Sequence, residues 1–304
     1  MELLFQKIKK ERMIRMQYFI DTANLESIKK ISDIFPIAGV TTNPTIIAKE
    51  KRDFKEIIND IFDIIGRDKI VHAQAVGSTA EIMIKEVKLL NDTFGENLYT
   101  KIPVTPEGIK AIKILAKDGH KITATGILSP QQIIMAAEAG AEYMAPYINR
   151  SDNIGENGIE IVKDAYKILE MTKKTDEEKL ARYKRIFEPK ILGASFKNVR
   201  QVHEAILAGS KSVTVAPDVF EKLIYHPYTD WSMDTFNSDW EKVYGDKKLN
   251  SLVPVKLENI IQYYVGYWLD DHASIAKRGK SLLFDKNKID EILMDINAER
   301  VIEA

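Results

Sequence analysis

LYTKIPVTPEGIKAIKILAKDGHKITATGIL, residues 98–128, carries the pattern that decides the fold. A short apolar run over 98–104 passes through a proline into an amphipathic stretch over 107–117. Gly119 stops that stretch, and a second β-rich run begins at Lys121. Runs this short and this apolar read as strands buried on both faces, and glycine is a usual helix stop. Strand, helix and strand in that order make one parallel crossover unit.

The same alternation extends in both directions. Strands are predicted over 17–21, 39–42, 69–76, 98–104, 121–128, 141–148, 190–195 and 212–216. Helical stretches fall over 25–35, 54–65, 79–94, 107–117, 130–139, 158–171 and 199–208, and several end at glycine (Gly66, Gly119, Gly140, Gly209). Eight strands alternating with helices predict a (β/α)8 TIM barrel. An open doubly wound sheet usually has a glycine-rich phosphate turn after its first strand, but the first turn here reads DTANLE. The expected organisation is an N-terminal extension over 1–16, the barrel over 17–244 and a helical C-terminal extension over 245–304. An eighth helix is expected near Pro217 and another over 235–244. The extension holds an aromatic cluster at Tyr263, Tyr264, Tyr267 and Trp268 and a polar amphipathic stretch over 286–302. Residues 173–188 form a charged insertion between a helix and a strand. Such loops lie at the bottom of a barrel, so it reads as decoration or an oligomer contact.

Composition narrows the function. The chain has 304 residues, 45% of them hydrophobic and 29% charged, and a net charge of −1. That balance argues against nucleic acid or an anionic membrane as the main partner. With no cysteine, disulfides, zinc–thiolate sites, iron–sulfur clusters and catalytic thiols are excluded. No apolar run approaches the roughly 20 residues of a membrane span, and the start lacks a secretory pattern, so a cytoplasmic protein is expected. The five histidines are scattered, and His72 reads as a satisfied wall residue; no metal or cofactor is expected.

Catalytic groups in such barrels come from the C-terminal strand ends. Those ends offer Asp21, Thr41, Asn43, Gln74, Lys101, Thr125, Tyr147, Asn149, Arg150 and Ser195. Lys101 is the informative one. An amine inside the mouth can pair with an anion, or it can attack a carbonyl to form a Schiff base. Blander roles compete for the others: Asp21 also fits a cap of the following helix, 41–43 a turn before Pro44, Ser195 a helix N-cap and Arg150 a surface loop.

Several separated motifs, in order, resemble the transaldolase family, and most of all its fructose-6-phosphate aldolase branch. They are YFIDTAN (18–24), GVTTNP (39–44), KIPVT (101–105), AGAEYMAPYINR (139–150), ASFKN (194–198) and HPYTD (226–230). The resemblance implies a class I aldolase with Lys101 as the Schiff-base lysine. It also implies Tyr147 as the acid/base, working through water held by Gln74 and Thr125. Asp21, Thr41 and Asn43 would then orient the donor, and Arg150 and Ser195 would bind the acceptor's phosphate. Transaldolases typically carry Glu and Phe where this chain has Gln74 and Tyr147. The expected reaction is cleavage or formation of the C3–C4 bond of a ketose phosphate, with hydroxyketone and sugar-phosphate partners and a ring-type homo-oligomer. Transfer of the dihydroxyacetone unit between sugars is the alternative, and a non-catalytic sugar-phosphate-binding barrel a third reading.

Overall fold

The computed structural model describes residues 16–252. The expected N-terminal extension, the aromatic cluster at 263–268 and the stretch at 286–302 lie outside the described residues. Two compact units divide the chain, Met1–Tyr225 and His226–Ala304.

In the first unit, eight strands close into a barrel in sequence order: β1 (Gln17–Asp21), β2 (Gly39–Thr41), β3 (Ile70–Gln74), β4 (Leu98–Pro103), β5 (Ile122–Ile127), β6 (Tyr143–Pro146), β7 (Lys190–Gly193) and β8 (Ser212–Val215). Every neighbouring pair is parallel, including β8 with β1. Side-chain alternation separates two cores. Ile20, Val40, Val71, Leu98, Ile102, Ile122, Met144, Ile191 and Val213 pack outward in one continuous cluster with the helices. Phe19, Tyr99, Tyr143, Ala145, Leu192 and Ala194 fill the inside. Burying each large aliphatic side chain contributes about 1.5–3 kcal/mol, so the helix-covered shell supplies most of the driving force.

The helices start as the sequence directs. Asn24, Asp53, Thr79, Thr105 and Ser129 each accept a backbone N–H in the first turn that follows them. Proline stands in the first turn of Pro106–Lys117 and Pro130–Ala139, where its missing N–H costs nothing. Gly39 admits no side chain because β2 runs so close to β3: a Cβ there would lie 1.8 Å from the Ile70 carbonyl oxygen.

Several strands are shorter than the apolar runs. The run over 141–148 narrows to Tyr143–Pro146, after which the chain turns into a short helix, Ile148–Asp152. The pairing of β5 with β6 shifts register between Ala124 and Ile127, around the left-handed Gly126 (φ 71°). The eighth helix is only Pro217–Phe220, continued by a 3-10 turn at Glu221–Leu223. In the second unit the helix expected over 235–244 begins much earlier and spans Pro227–Tyr244, with His226 capping the Tyr228 N–H.

The charged insertion, expected as decoration or an oligomer contact, is folded and packed against the barrel. It folds into the helix Asp176–Tyr183, opened by a reciprocal capping box between Thr175 and Glu178. Tyr183 and Phe187 cluster with Ala116, and the Tyr183 hydroxyl donates to the Glu138 carbonyl oxygen at 3.0 Å. Lys179, only 3% exposed, holds Glu188 at 2.8 Å. Burial alone would raise the Glu188 carboxyl, but hydrogen bonding and charge from Lys179, with Lys173, bring it below its ordinary value. Beyond the helix, Arg185 reaches the barrel floor and donates to Glu142 at 2.6 Å. The Tyr99 hydroxyl donates to the same carboxylate at 3.1 Å, and Lys190 lies 3.8 Å from its other oxygen. Desolvation raises both Tyr99 and Tyr143 well above the ordinary phenol value, so both are neutral donors.

Candidate active site

Lys101 lies on β4 and is 5% exposed. Register sets it beside Gln74 on β3 and Thr123 on β5, inside the ring. Its Nζ donates to the Thr42 carbonyl oxygen at 2.9 Å. Thr42 is itself fixed, because its N–H and its hydroxyl both donate to the His72 carbonyl oxygen, at 2.8 and 2.9 Å. Among the described residues no ion pair involves Lys101, so the amine is anchored by a neutral acceptor and not by a carboxylate. A primary amine held this way, dry and unpaired, can act as a nucleophile toward a carbonyl. Sequence reading did not single out the Thr42 anchor, and could not, because the contact uses a backbone atom.

Across the mouth, the Thr125 hydroxyl lies 3.1 Å from the Tyr147 hydroxyl. Tyr147 sits just past β6, bridged to Ala194, and its ring carries the Arg150 guanidinium at 4.6 Å from the centroid. Arg150 is exposed on the short helix after β6, as the surface reading anticipated, and has no carboxylate partner among the described residues. A free guanidinium fork suits a planar or tetrahedral anion. Gln74 is half-buried and makes no side-chain hydrogen bond among the described residues, leaving its amide available to a ligand.

Asp21 accepts a hydrogen bond from the Thr41 hydroxyl at 2.7 Å, and Thr41 in turn contacts the Thr214 hydroxyl. The cap of the following helix is Asn24 and not Asp21, which frees the carboxylate for the mouth. Where a turn before Pro44 is the bland expectation, Asn43 caps a helix: its Oδ1 accepts from Ile46 N–H at 3.0 Å at the start of Pro44–Glu50. Its amide NH2 has no partner among the described residues. Ser195 is not a helix cap either, since Asn198 caps Val199–Leu207. Instead Ser195 occupies the left-handed region (φ 62°), a conformation costing a serine of order 1 kcal/mol. Its carbonyl accepts from Asn149 N–H at 3.0 Å, which ties the loop after β7 to the one after β6.

Beneath the lysine lies His72, wholly buried between the rings of Phe19, Tyr99 and Tyr143. The expectation of a satisfied wall histidine is half right. Nδ1 is bonded to the Thr123 hydroxyl at 2.8 Å, while Nε2 has no partner among the described residues. Loss of water around the ring, followed by the charges of Lys101 and Lys190, holds His72 well below its ordinary value of 6.5, so the folded protein keeps it neutral. In the unfolded chain it takes up a proton near pH 6.5, so acidification favours unfolding. Stability is therefore expected to fall below pH 6.5 with a His72 component approaching about 1.4 kcal/mol per pH unit. Urea unfolding of wild type and His72→Phe at pH 7.5 and 5.5 checks this: the difference in stability between them should change with pH, and a constant difference contradicts it.

Residues 18–258 match the family model described as Transaldolase/Fructose-6-phosphate aldolase. The chain belongs to this family. A probable fructose-6-phosphate aldolase from Streptococcus pneumoniae is 37% identical over 235 residues, covering 77% of this chain and 100% of that protein. A probable transaldolase from Agathobacter rectalis is 38% identical, covering 76% and 100%, and one from Caldicellulosiruptor saccharolyticus is 41% identical, covering 75% and 98%. Membership makes the protein an enzyme of the aldolase and transaldolase class, and the family match runs from the second residue of β1 through β8. No helix among the described residues is long and apolar enough to cross a membrane.

Proposed function

We propose that the protein is a class I aldolase that cleaves or forms the C3–C4 bond of a ketose phosphate such as fructose 6-phosphate. The observation that carries this reading is the buried Lys101 amine, held by the Thr42 carbonyl and by no carboxylate among the described residues. The Lys101 nitrogen attacks C2 of the ketose, and loss of water from the carbinolamine leaves an iminium. The C4 hydroxyl gives up its proton, the C3–C4 electron pair moves to C3, and glyceraldehyde 3-phosphate departs from the resulting enamine. Protonation at C3 and hydrolysis release dihydroxyacetone and return the amine.

Tyr147 serves as the acid and base for these transfers, supported by the Thr125 hydroxyl, with Gln74 helping to hold the water that relays the proton. Asp21, Thr41 and Asn43 orient the donor hydroxyls. Arg150 and Ser195 receive the acceptor's phosphate, and the exposed, unpaired guanidinium supports that role. The reading extends to a cytoplasmic, ring-type homo-oligomer working on small molecules, supported by the family resemblance and by the net charge of −1.

Incubation with fructose 6-phosphate and borohydride is expected to leave a stable adduct on Lys101. An adduct on another lysine, or none, contradicts the reading. Tyr147→Phe is expected to lower kcat by about a hundredfold or more while trapping at Lys101 persists; a loss below fivefold would reject Tyr147 as the proton carrier. A transaldolase reading has its own support, since two of the relatives named above are probable transaldolases. Free dihydroxyacetone formed from fructose 6-phosphate alone marks the aldolase. Turnover that starts only when a second aldose phosphate is added marks the transaldolase.

A further inference from the structure

Arg150 and Ser195 sit on separate loops, after β6 and β7, and one side chain spans the two. The loops meet at their bases through the Ile148 and Asn149 N–H groups, which donate to the carbonyls of Ala194 and Ser195 at 2.9 and 3.0 Å. Farther out, Gln201 on the helix Val199–Leu207 completes the join. Its Oε1 accepts from Lys197 N–H at 2.8 Å, two residues beyond Ser195. Its Nε2 donates to Asp152 Oδ2 at 2.7 Å and to Asn149 Oδ1 at 3.3 Å, on the helix that carries Arg150. The Gln201 N–H donates to Asn198 Oδ1, so the backbone of Gln201 is fixed as well.

Asp152 is itself held from two sides. Asp152 is the acid nearest Arg150 in sequence, and its other oxygen, Oδ1, accepts from Gly158 N–H at 3.0 Å. The Arg150 guanidinium lies over the Tyr147 ring and carries no ion pair among the described residues.

We propose that Gln201 is a positioning residue for recognition of the acceptor's phosphate. It locks the segments that carry Arg150 and Ser195 in register. The inference rests on the reading of those two residues as phosphate ligands. A carboxamide at this length supplies both the acceptor for Lys197 and the donor for Asp152 from one side-chain tip. A guanidinium recognises an anion through a two-pronged geometry, so a fixed backbone beneath it favours the fit.

The test is Gln201→Met, which keeps the length and helix preference of the side chain. KM for glyceraldehyde 3-phosphate in the synthetic direction, with dihydroxyacetone as donor, should rise about tenfold. KM and kcat with unphosphorylated glyceraldehyde should stay within about twofold of wild type, as should borohydride trapping of dihydroxyacetone on Lys101. A general loosening of the fold would move both aldehydes alike, so equal effects on the two, or none on either, overturn the proposal. If wild type discriminates between the aldehydes but traps no donor on Lys101, the aldolase reading falls and takes this inference with it. If wild type traps the donor and the variant shows no phosphate-specific rise, only the role of Gln201 falls.

Discussion

Lys101→Met is expected to abolish turnover, by about a thousandfold or more, and to eliminate the borohydride adduct. Methionine keeps a similar length and adapts to irregular surroundings, so the β4 backbone has no reason to move. What disappears is the nitrogen that the proposed mechanism sets against the keto carbon, and no other described amine lies in the same place. The Thr42 carbonyl loses its donor, but Thr42 is still held through its own N–H and hydroxyl on the His72 carbonyl. Unchanged far-ultraviolet circular dichroism is the control for folding. His72 gives a second readout. Because the Lys101 charge is among the causes that depress it, its titration should move back toward 6.5 in the variant. Residual turnover above about one hundredth of wild type would remove Lys101 from the chemistry.

The largest effect on stability is expected from Arg185→Met, at the opposite end of the barrel. Arg185 and Glu142 are 17% and 9% exposed at the side chain and meet at 2.6 Å. Removing the cation leaves a nearly buried carboxylate whose nearest remaining cation, Lys190, is 3.8 Å away. Breaking a pair of this kind costs about 3 kcal/mol, because the remaining charge is stranded away from water. Lys190 cannot fully compensate, since burial already lowers its own affinity for a proton. In a unit of this size the melting temperature should fall by about 6–12 °C. Adding Glu142→Gln should recover at least about half of the loss, as the stranded charge is then gone and the Tyr99 hydroxyl keeps an acceptor. A loss below about 1 kcal/mol for Arg185→Met, or no recovery in the double variant, would show that the floor does not depend on this pair.

How much of this was legible in the sequence depended on where each interaction lives. The eight strands were visible because burial on both faces leaves short apolar runs, and capping residues and glycines punctuate the helices between them. The site lysine was visible because a charged residue in an apolar run on a closed ring has few places to go. Contacts made by the backbone were not visible. Thr42 holds Lys101 through a carbonyl, which every residue possesses. Asp21 and Ser195 looked like helix caps because the residue type fits, but the caps are Asn24 and Asn198, three positions farther along in each case. Arg185 was hidden for another reason: its partner Glu142 is 43 residues away, and charge alternation over 173–188 looks like an exposed surface until the fold folds it under. The short helices Pro44–Glu50, Ile148–Asp152 and Asp176–Tyr183 left too few turns for a periodicity to register.

The filling of the barrel below Lys101 has a consequence for traffic. Phe19, His72, Tyr99, Tyr143 and Leu192 occupy the space beneath the amine, and Arg185 with Glu142 seals the far end. Among the described residues the inside of the barrel is thus filled below Lys101. Under the proposed reaction a ketose joined to Lys101 through C2 loses its aldehyde half first, because the other three carbons stay bonded to the amine as the enamine. Hydrolysis would then free that fragment on the side from which the substrate arrived, since the packed floor offers it no second way out.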